Sequence, residues 1–413
     1  MNRTAKPSTK RSELKLNRLA KWFEQHEPKG KWSWLGSTHE AFKTFAFTPN
    51  RVTEKGCHVR DAVDLKRAMI TVVFALIPAM LFGMWNIGYQ HYKAVATPLT
   101  SHLSILTCFW FGFLRMLPLL AVSYIVGLTI EFAFAQIRHH QVNEGFLVTG
   151  FLIPMIMPVT TPLWQLAIAV AFAVIIGKEA FGGTGMNFLN PALVARAFLF
   201  FAYPTRMSGD SIWIAADLWG TDAITSATPL GMLASGADLP TLNSQFSPLD
   251  MFIGTIPGST CETSVIAILL GAILLLVTGI ASWRIMLSVI LGGGLMGLTF
   301  NLLSPLTSHL SPLDFQLPFY YHYLMGGFMF GAVFMATDPV TAAQTNVGKW
   351  IYGLLIGIFA VMLRVLNPAY PEGMMLSILL MNCFAPLIDH CVIARNIKRR
   401  QKRALIKTKV TAQ

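Results

Sequence analysis

From Ala68 to Gly88 the chain runs for 21 residues, AMITVVFALIPAMLFGMWNIG, without a charged side chain. A helix rises about 1.5 Å per residue, so roughly 20 apolar residues span the hydrocarbon of a bilayer. Nothing in lipid can satisfy a free backbone N–H or C=O, so such a run must be helical. Nine further apolar runs follow: Leu117–Ile137, Gly145–Met157, Leu163–Ile176, Asn187–Tyr203, Ser264–Ser282, Ile285–Leu303, Tyr321–Ala336, Trp350–Val365 and Gly373–Ile393. Only 13% of residues are charged, against about 25% in a soluble domain. The expected class is an all-α polytopic membrane protein of about ten transmembrane helices, lying in a lipid bilayer.

Charge sets the expected orientation. Of 32 Lys and Arg, 15 lie in residues 1–67 and 8 in residues 395–413. Basic flanks stay on the cytoplasmic side, so both termini are expected there and the number of crossings is even. Arg138, Lys178, Arg284 and Lys349 then fall on the cytoplasmic side, while Pro204–Glu262 and Ser304–Tyr320 hold a single cation between them, Arg206. The net charge of +12 is therefore a topology signal and not a nucleic-acid surface. The tail Arg395–Arg403 suits anionic lipid, and Leu14–Phe23 has the pattern of a basic amphipathic helix. No early apolar core marks a cleaved leader.

The chain repeats itself. Leu147-Val-Thr-Gly-Phe151 matches Leu324-Met-Gly-Gly-Phe328, Thr160-Thr-Pro162 matches Thr337-Asp-Pro339, and Leu189-Asn-Pro-Ala192 matches Leu366-Asn-Pro-Ala369, all at an offset of 177 residues. Three matches in one register point to an internal duplication. Five spans per half is an odd number, so the halves are expected as two inverted five-helix repeats. The expected division is a basic cytoplasmic extension (1–65), a first repeat (66–203), an outer loop (204–262), a second repeat (263–394) and a basic cytoplasmic tail (395–413).

Inverted repeats tend to build their central sites from short or broken helices in corresponding positions. Gly145–Pro162 with Leu324–Pro339, and the two Leu-Asn-Pro-Ala elements, are those positions here. Asn190 and Asn367 are amides beside helix-breaking prolines; each suits a polar ring or an ion, and each equally suits the start of its own helix. Acidic residues inside spans are costly and mark functional sites. Glu131 and Asp389 are therefore candidates for an ion path, since a hard cation prefers carboxylate and carbonyl oxygens. Glu179 and Asp338, near cytoplasmic span ends, are accounted for by pairing with Lys178 or by local capping. Gly182-Gly-Thr-Gly185 lacks a phosphate-loop pattern and reads as a turn where backbone comes close to a neighbour, a flavin or quinone ring among the options. Five cysteines without C-x-x-C spacing indicate neither a disulfide framework nor a local zinc site; a metal centre shared with another chain stays open.

The outer loop carries DAITSATP, Asp222 to Pro229. Small residues before Thr228 leave its hydroxyl open to a modifying enzyme. The pattern resembles D-x-x-[ST]-[GS]-A-T, at which a flavin transferase esterifies FMN through its phosphate to the last Thr. Other stretches share the resemblance: His58–Lys66 (HVRDAVDLK), Gly177–Gly185 (GKEAFGGTG), Phe198–Pro204 (FLFFAYP) and Val365–Gly373 (VLNPAYPEG). Over nearly its whole length the chain resembles the B subunits of sodium-translocating NADH:quinone reductases. Two departures stand out. Ser226 replaces a common Gly before Ala-Thr, and Val126-Gly127-Leu128 lacks a Gly-Gly pair near the quinone region.

The resemblance implies covalent FMN on Thr228, a noncovalent riboflavin, ubiquinone as acceptor, and Na+ as the transported ion. It implies five partner subunits, an NADH site on another subunit, an inner-membrane location, and a fold similar to urea and ammonium channels. The redox chemistry would belong to the cofactors, and the protein's part would be placement and tuning. The D subunit of Rnf ferredoxin:NAD complexes, also flavinylated on Thr, is the alternative within the family; the long basic N-terminal extension and Val365–Gly373 favour the quinone reductase. A channel-like solute transporter is the alternative from the repeat alone.

Overall fold

The computed structural model describes residues 57, 65–95, 104–138, 145–215, 226–307, 317–367, 370 and 372–411. The stretches Leu14–Phe23 and His58–Asp64, together with Asp222–Thr225 of the loop motif, lie outside these. Among the described residues the regular structure is helical, with no β-strand.

The first half contains α1 (Leu65–Val95), α2 (Ile105–Arg138), α3 (Phe146–Ile156), α4 (Leu163–Ile175) and α5 (Pro191–Ala202). Three short helices follow: α6 (Pro229–Ala234), α7 (Leu239–Gln245) and α8 (Pro248–Ile253). The second half contains α9 (Val265–Val277), α10 (Trp283–Thr307), the one-turn helices α11 (Tyr321–Leu324) and α12 (Phe328–Phe330), a π-helical turn Gly331–Met335, α13 (Asn346–Leu366) and α14 (Met374–Thr411). Among the described residues, six helices are long and apolar enough to cross a membrane: α1, α2, α4 with its following turn, α10, α13 and α14. Phe146–Ile156, Pro191–Ala202 and Val265–Val277 are shorter apolar helices. Helix α14 does not stop at the membrane edge; it continues through the basic tail to Thr411.

Within each half the long helices pack on one another in series. Helix α2 packs on α1, α3 and α4, and α4 packs on α5; α10 packs on α11, the π turn and α13, and α13 packs on α14. The halves meet where α1 touches α9 and where α5 touches α14. Small residues permit the closest crossings, as expected where no hydrophobic force draws helices together in lipid. A Cβ on Gly112 would fall 1.7 Å from the Met84 carbonyl oxygen, joining α2 to α1, and one on Gly357 would fall 2.1 Å from that of Val289, joining α13 to α10. The core holds Phe146, Ile153, Leu166, Phe328, Phe330 and Tyr352, all buried, while Phe74, Leu114, Ile125, Leu291, Leu295 and Leu387 face outward. An apolar exterior of that extent suits acyl chains.

Helix α3 ends inside the bundle, with Met157 extended. Its last carbonyls would be orphaned there. The segment before α9 supplies the donors: Cys261 N–H to Met155 O at 3.0 Å, Thr260 N–H to Met157 O at 3.3 Å, and the Thr260 hydroxyl to Met157 O at 2.6 Å. This pairing of broken backbone fixes Ser259–Thr263 in the interior. The outer segment 226–256, a polar loop in sequence, folds over it with its own apolar cluster of Leu230, Leu233, Leu242, Phe246 and Met251, joined by Tyr321 and Met325.

Candidate functional site

Thr228 is the N-cap of α6. Its Oγ accepts the Gly231 N–H at 3.0 Å, and Pro229 takes the first helical position, where no N–H is needed. Ser226 is held from the other side, its N–H donating to Asp210 O at 2.9 Å. The half-buried Thr228 lines a cavity of about 410 Å³. That is within the size range of small-molecule sites, about 300–1,000 Å³. Phe200, Trp213, Leu230, Ile256 and Tyr370 give the cavity apolar wall, and Gly209, Gly231, Gly258, Gly326 and Gly327 bring backbone to its surface. Gly326 has φ +63°, and at Gly327 a Cβ would stand 2.9 Å from a Glu262 oxygen. The chemistry of this wall fits a flat heteroaromatic ring, and a phosphoester on Thr228 would open onto it.

The cavity also has a charged lining, of which only Glu372 falls in a stretch the sequence singled out, Val365–Gly373. Arg196 of α5 is buried and contacts Glu372, the residue just before the turn into α14. Its other terminal nitrogen is 3.6 Å from Glu262, and both nitrogens donate to Ser259 Oγ at 3.3 Å. All four residues line the cavity. A signal was present: Arg196 is the one charged residue in the apolar run Asn187–Tyr203, and an intramembrane cation implies a partner.

Away from that cavity a second cluster forms. Glu131, inside α2, contacts Lys178, and both are buried. Glu179 instead meets Arg138, at 3.4 Å through its carboxylate and 2.8 Å through its carbonyl. The expected pairing of Lys178 with its neighbour Glu179 is thus replaced by one with Glu131, because the turn at Lys178–Phe181 sends adjacent side chains in different directions. The glycine turn closes this region: Gly182 and Gly183 have φ +115° and +92°, conformations a side chain would strain.

Asn190 caps α5, accepting the Ala192 N–H at 3.0 Å, and its amide donates to Asp338 at 3.5 Å. Asp338 also accepts from Val340 N–H and the Thr341 hydroxyl, each at 3.1 Å, which is the local capping expected of it. A small cavity of about 90 Å³ is lined by Lys178, Thr184, Asn187, Asn190, Thr337 and Asp338.

Asn367 is exposed and lies at the opposite end of α13, whose 21 residues separate it from that cluster by roughly 30 Å. The two matching asparagines therefore do not share a site. Asp389 lies at a third place. It accepts from Gln344 N–H at 2.6 Å, Thr345 N–H at 3.0 Å and the Thr345 hydroxyl at 2.5 Å. Its span is mostly apolar, but the protein supplies its donors from the loop that starts α13. The Val126-Gly127-Leu128 segment is tightly packed, with Phe146 filling the space a Gly127 side chain would take.

A helical bundle with an apolar outer surface, broken helices inside and polar groups at two depths defines a multi-pass membrane protein. The chain belongs to the NQR2, RnfD, RnfE family, whose model matches residues 52–398. A protein of Ectopseudomonas mendocina, named as the B subunit of Na(+)-translocating NADH-quinone reductase, is 49% identical over 407 residues, covering 94% of this chain and 98% of its own length. Proteins bearing the same name from Stutzerimonas stutzeri and Chromohalobacter salexigens are each 48% identical, over 94% of this chain and 98% and 95% of theirs.

Proposed function

We propose that this chain is the membrane subunit through which a Na+-translocating NADH:quinone reductase passes electrons to ubiquinone. In this reading Thr228 carries FMN as a phosphoester placed by a flavin transferase, a noncovalent riboflavin lies elsewhere in the subunit, and five other subunits complete the complex. The single observation that carries the reading is the position of Thr228: the last Thr of the flavin-attachment pattern borders a cavity of ligand size with a glycine-rich, aromatic wall. Bound flavin supplies one- and two-electron transfer; the protein's own side chains hold it, exclude water and set its surroundings. The hydroxyl of Thr228 is presented on a cap, and Pro229 fixes the chain immediately after it.

The chain crosses the inner membrane ten times as two inverted halves, with both termini cytoplasmic and Thr228 outside. The three sequence matches at one offset and the basic flanks support this. The comparison with urea and ammonium channel folds rests on the sequence resemblance. Glu131 and Asp389 belong to the ion path, and Asn190 to a riboflavin or ion site beside the cytoplasmic cavity. Asn367, exposed and apart, has the weaker support of its matching sequence position.

Thr228→Ala in the assembled complex tests the attachment. The subunit is expected to lose its flavin fluorescence in a denaturing gel and the corresponding mass, with assembly intact. A fluorescent Thr228→Ala subunit, or flavin mapped to Thr225, overturns the assignment.

A further inference from the structure

We propose that Glu262 and Glu372, aimed by Arg196, form the polar floor that accepts the ring N–H of the flavin carried on Thr228. The inference rests on the flavin reading of Thr228 and goes beyond it by assigning the charged part of the same cavity lining. Three separate elements converge there: α5 through Arg196, the broken segment before α9 through Ser259 and Glu262, and the turn before α14 through Glu372. None is needed to close the ends of α3, which Thr260 and Cys261 already satisfy.

The hydrogen-bond inventory gives the ligand's polarity. Both terminal nitrogens of Arg196 are committed to Ser259, Glu262 and Glu372. Among the described residues, each carboxylate keeps one buried oxygen, Oε1, without a hydrogen-bond partner. Glu262 is nearly fully buried, with a side chain 3% exposed. A buried acceptor left unpaired is costly, and native proteins rarely tolerate one without a reason. Two carboxyl groups share one guanidinium, so the floor offers acceptor oxygens beyond those the guanidinium engages. Such a surface rejects a phosphate or carboxylate and takes an N–H donor. The anionic end of FMN then belongs at Thr228, and the donor-bearing edge of its ring belongs at the floor. The aromatic and glycine walls of the same cavity suit the flat apolar body of the ring. Arg196 is a positioning residue in this arrangement, since its terminal nitrogens reach the carboxylates and Ser259.

The test uses the assembled complex with Glu262→Gln and Glu372→Gln, each with covalent flavin verified by mass. Spectroelectrochemistry reads the midpoint potential of the Thr228 flavin, and its oxidised absorption spectrum is recorded alongside. Removing a carboxylate from beside the ring favours the more negative reduced form. The expected result is at least a tenfold change in the oxidised-to-reduced ratio at fixed potential, about 30 mV for a two-electron couple, with an altered oxidised spectrum. If both variants keep the flavin with wild-type potential and spectrum, the proposal is overturned. It is also overturned if Glu262→Gln assembles but loses the ester, because that would place Glu262 in the attachment reaction. Should Glu262→Gln fail to assemble, the potential measured in Glu372→Gln decides. Absence of covalent flavin from the unmodified complex would instead remove the Thr228 reading, so the two failures are distinguishable.

Discussion

Lys178 and Glu131 form a buried ion pair that ties the turn after α4 to the interior of α2, with side chains 3% and 4% exposed. The two residues are 47 positions apart, and the acidic neighbour of Lys178 in sequence, Glu179, turns to Arg138 instead. An ion pair at this depth persists because its charges meet each other; alone, either would be stranded in a low-dielectric interior.

Lys178→Met is therefore expected to destabilise the subunit by about 3–5 kcal/mol, the usual cost of leaving one member of a buried pair uncompensated. The double variant Glu131→Gln with Lys178→Met should recover most of that loss. Thermal unfolding in detergent across the four forms gives the coupling. Additive losses would show that the pair does not interact.

Sodium titration separates an ion-path role from a structural one for the two acidic candidates. Glu131→Gln and Asp389→Asn are expected to raise the half-saturating Na+ concentration for quinone reduction with flavin content unchanged. An unchanged sodium curve in both would leave Glu131 as the partner of Lys178 and Asp389 as a cap.

Asp389 carries a further expectation from its geometry. Its carboxylate receives three donors at the entry to α13, so Asp389→Ala removes a cap-like network and should cost about 0.5–2 kcal/mol. Asp389→Asn keeps an acceptor and should cost less. Equal thermal stability of the Ala variant and the wild type would contradict the capping role.

Sidedness is checked by reporter fusions. Fusions at residues 228 and 413 are expected to report opposite sides of the membrane, from the charge asymmetry of the flanks. The same side for both would remove the ten-crossing arrangement.

The crossing of α1 and α2 predicts a steric failure. In Gly112→Leu the new Cβ alone would sit 1.7 Å from a backbone oxygen of α1, and backbone cannot swing aside as a side chain can. Overpacking costs typically about 1–3 kcal/mol even where side chains yield, so this variant should accumulate poorly in the membrane. Normal accumulation would mean that the helices do not cross there.

The long apolar runs determined by themselves that this chain is a helical membrane protein, because lipid leaves the backbone no other way to satisfy its hydrogen bonds. The basic flanks carried the expected orientation, and Thr228 could be proposed as a flavin anchor because its motif is local: seven consecutive residues, Asp222 to Thr228, hold the whole pattern. Asn190 as a cap and Asp338 as a cap were legible for the same reason, each bonding within three residues of itself. The partners of Arg196, Glu131 and Asp389 were not, since they come from residues 44 to 176 positions away. Nor could the repeat show that Asn190 and Asn367 lie apart, since sequence similarity records equivalence and not direction. Only the tertiary structure decided which buried charges meet and which carboxylate oxygens stay free, because each depends on where a broken helix ends and what backbone crosses it.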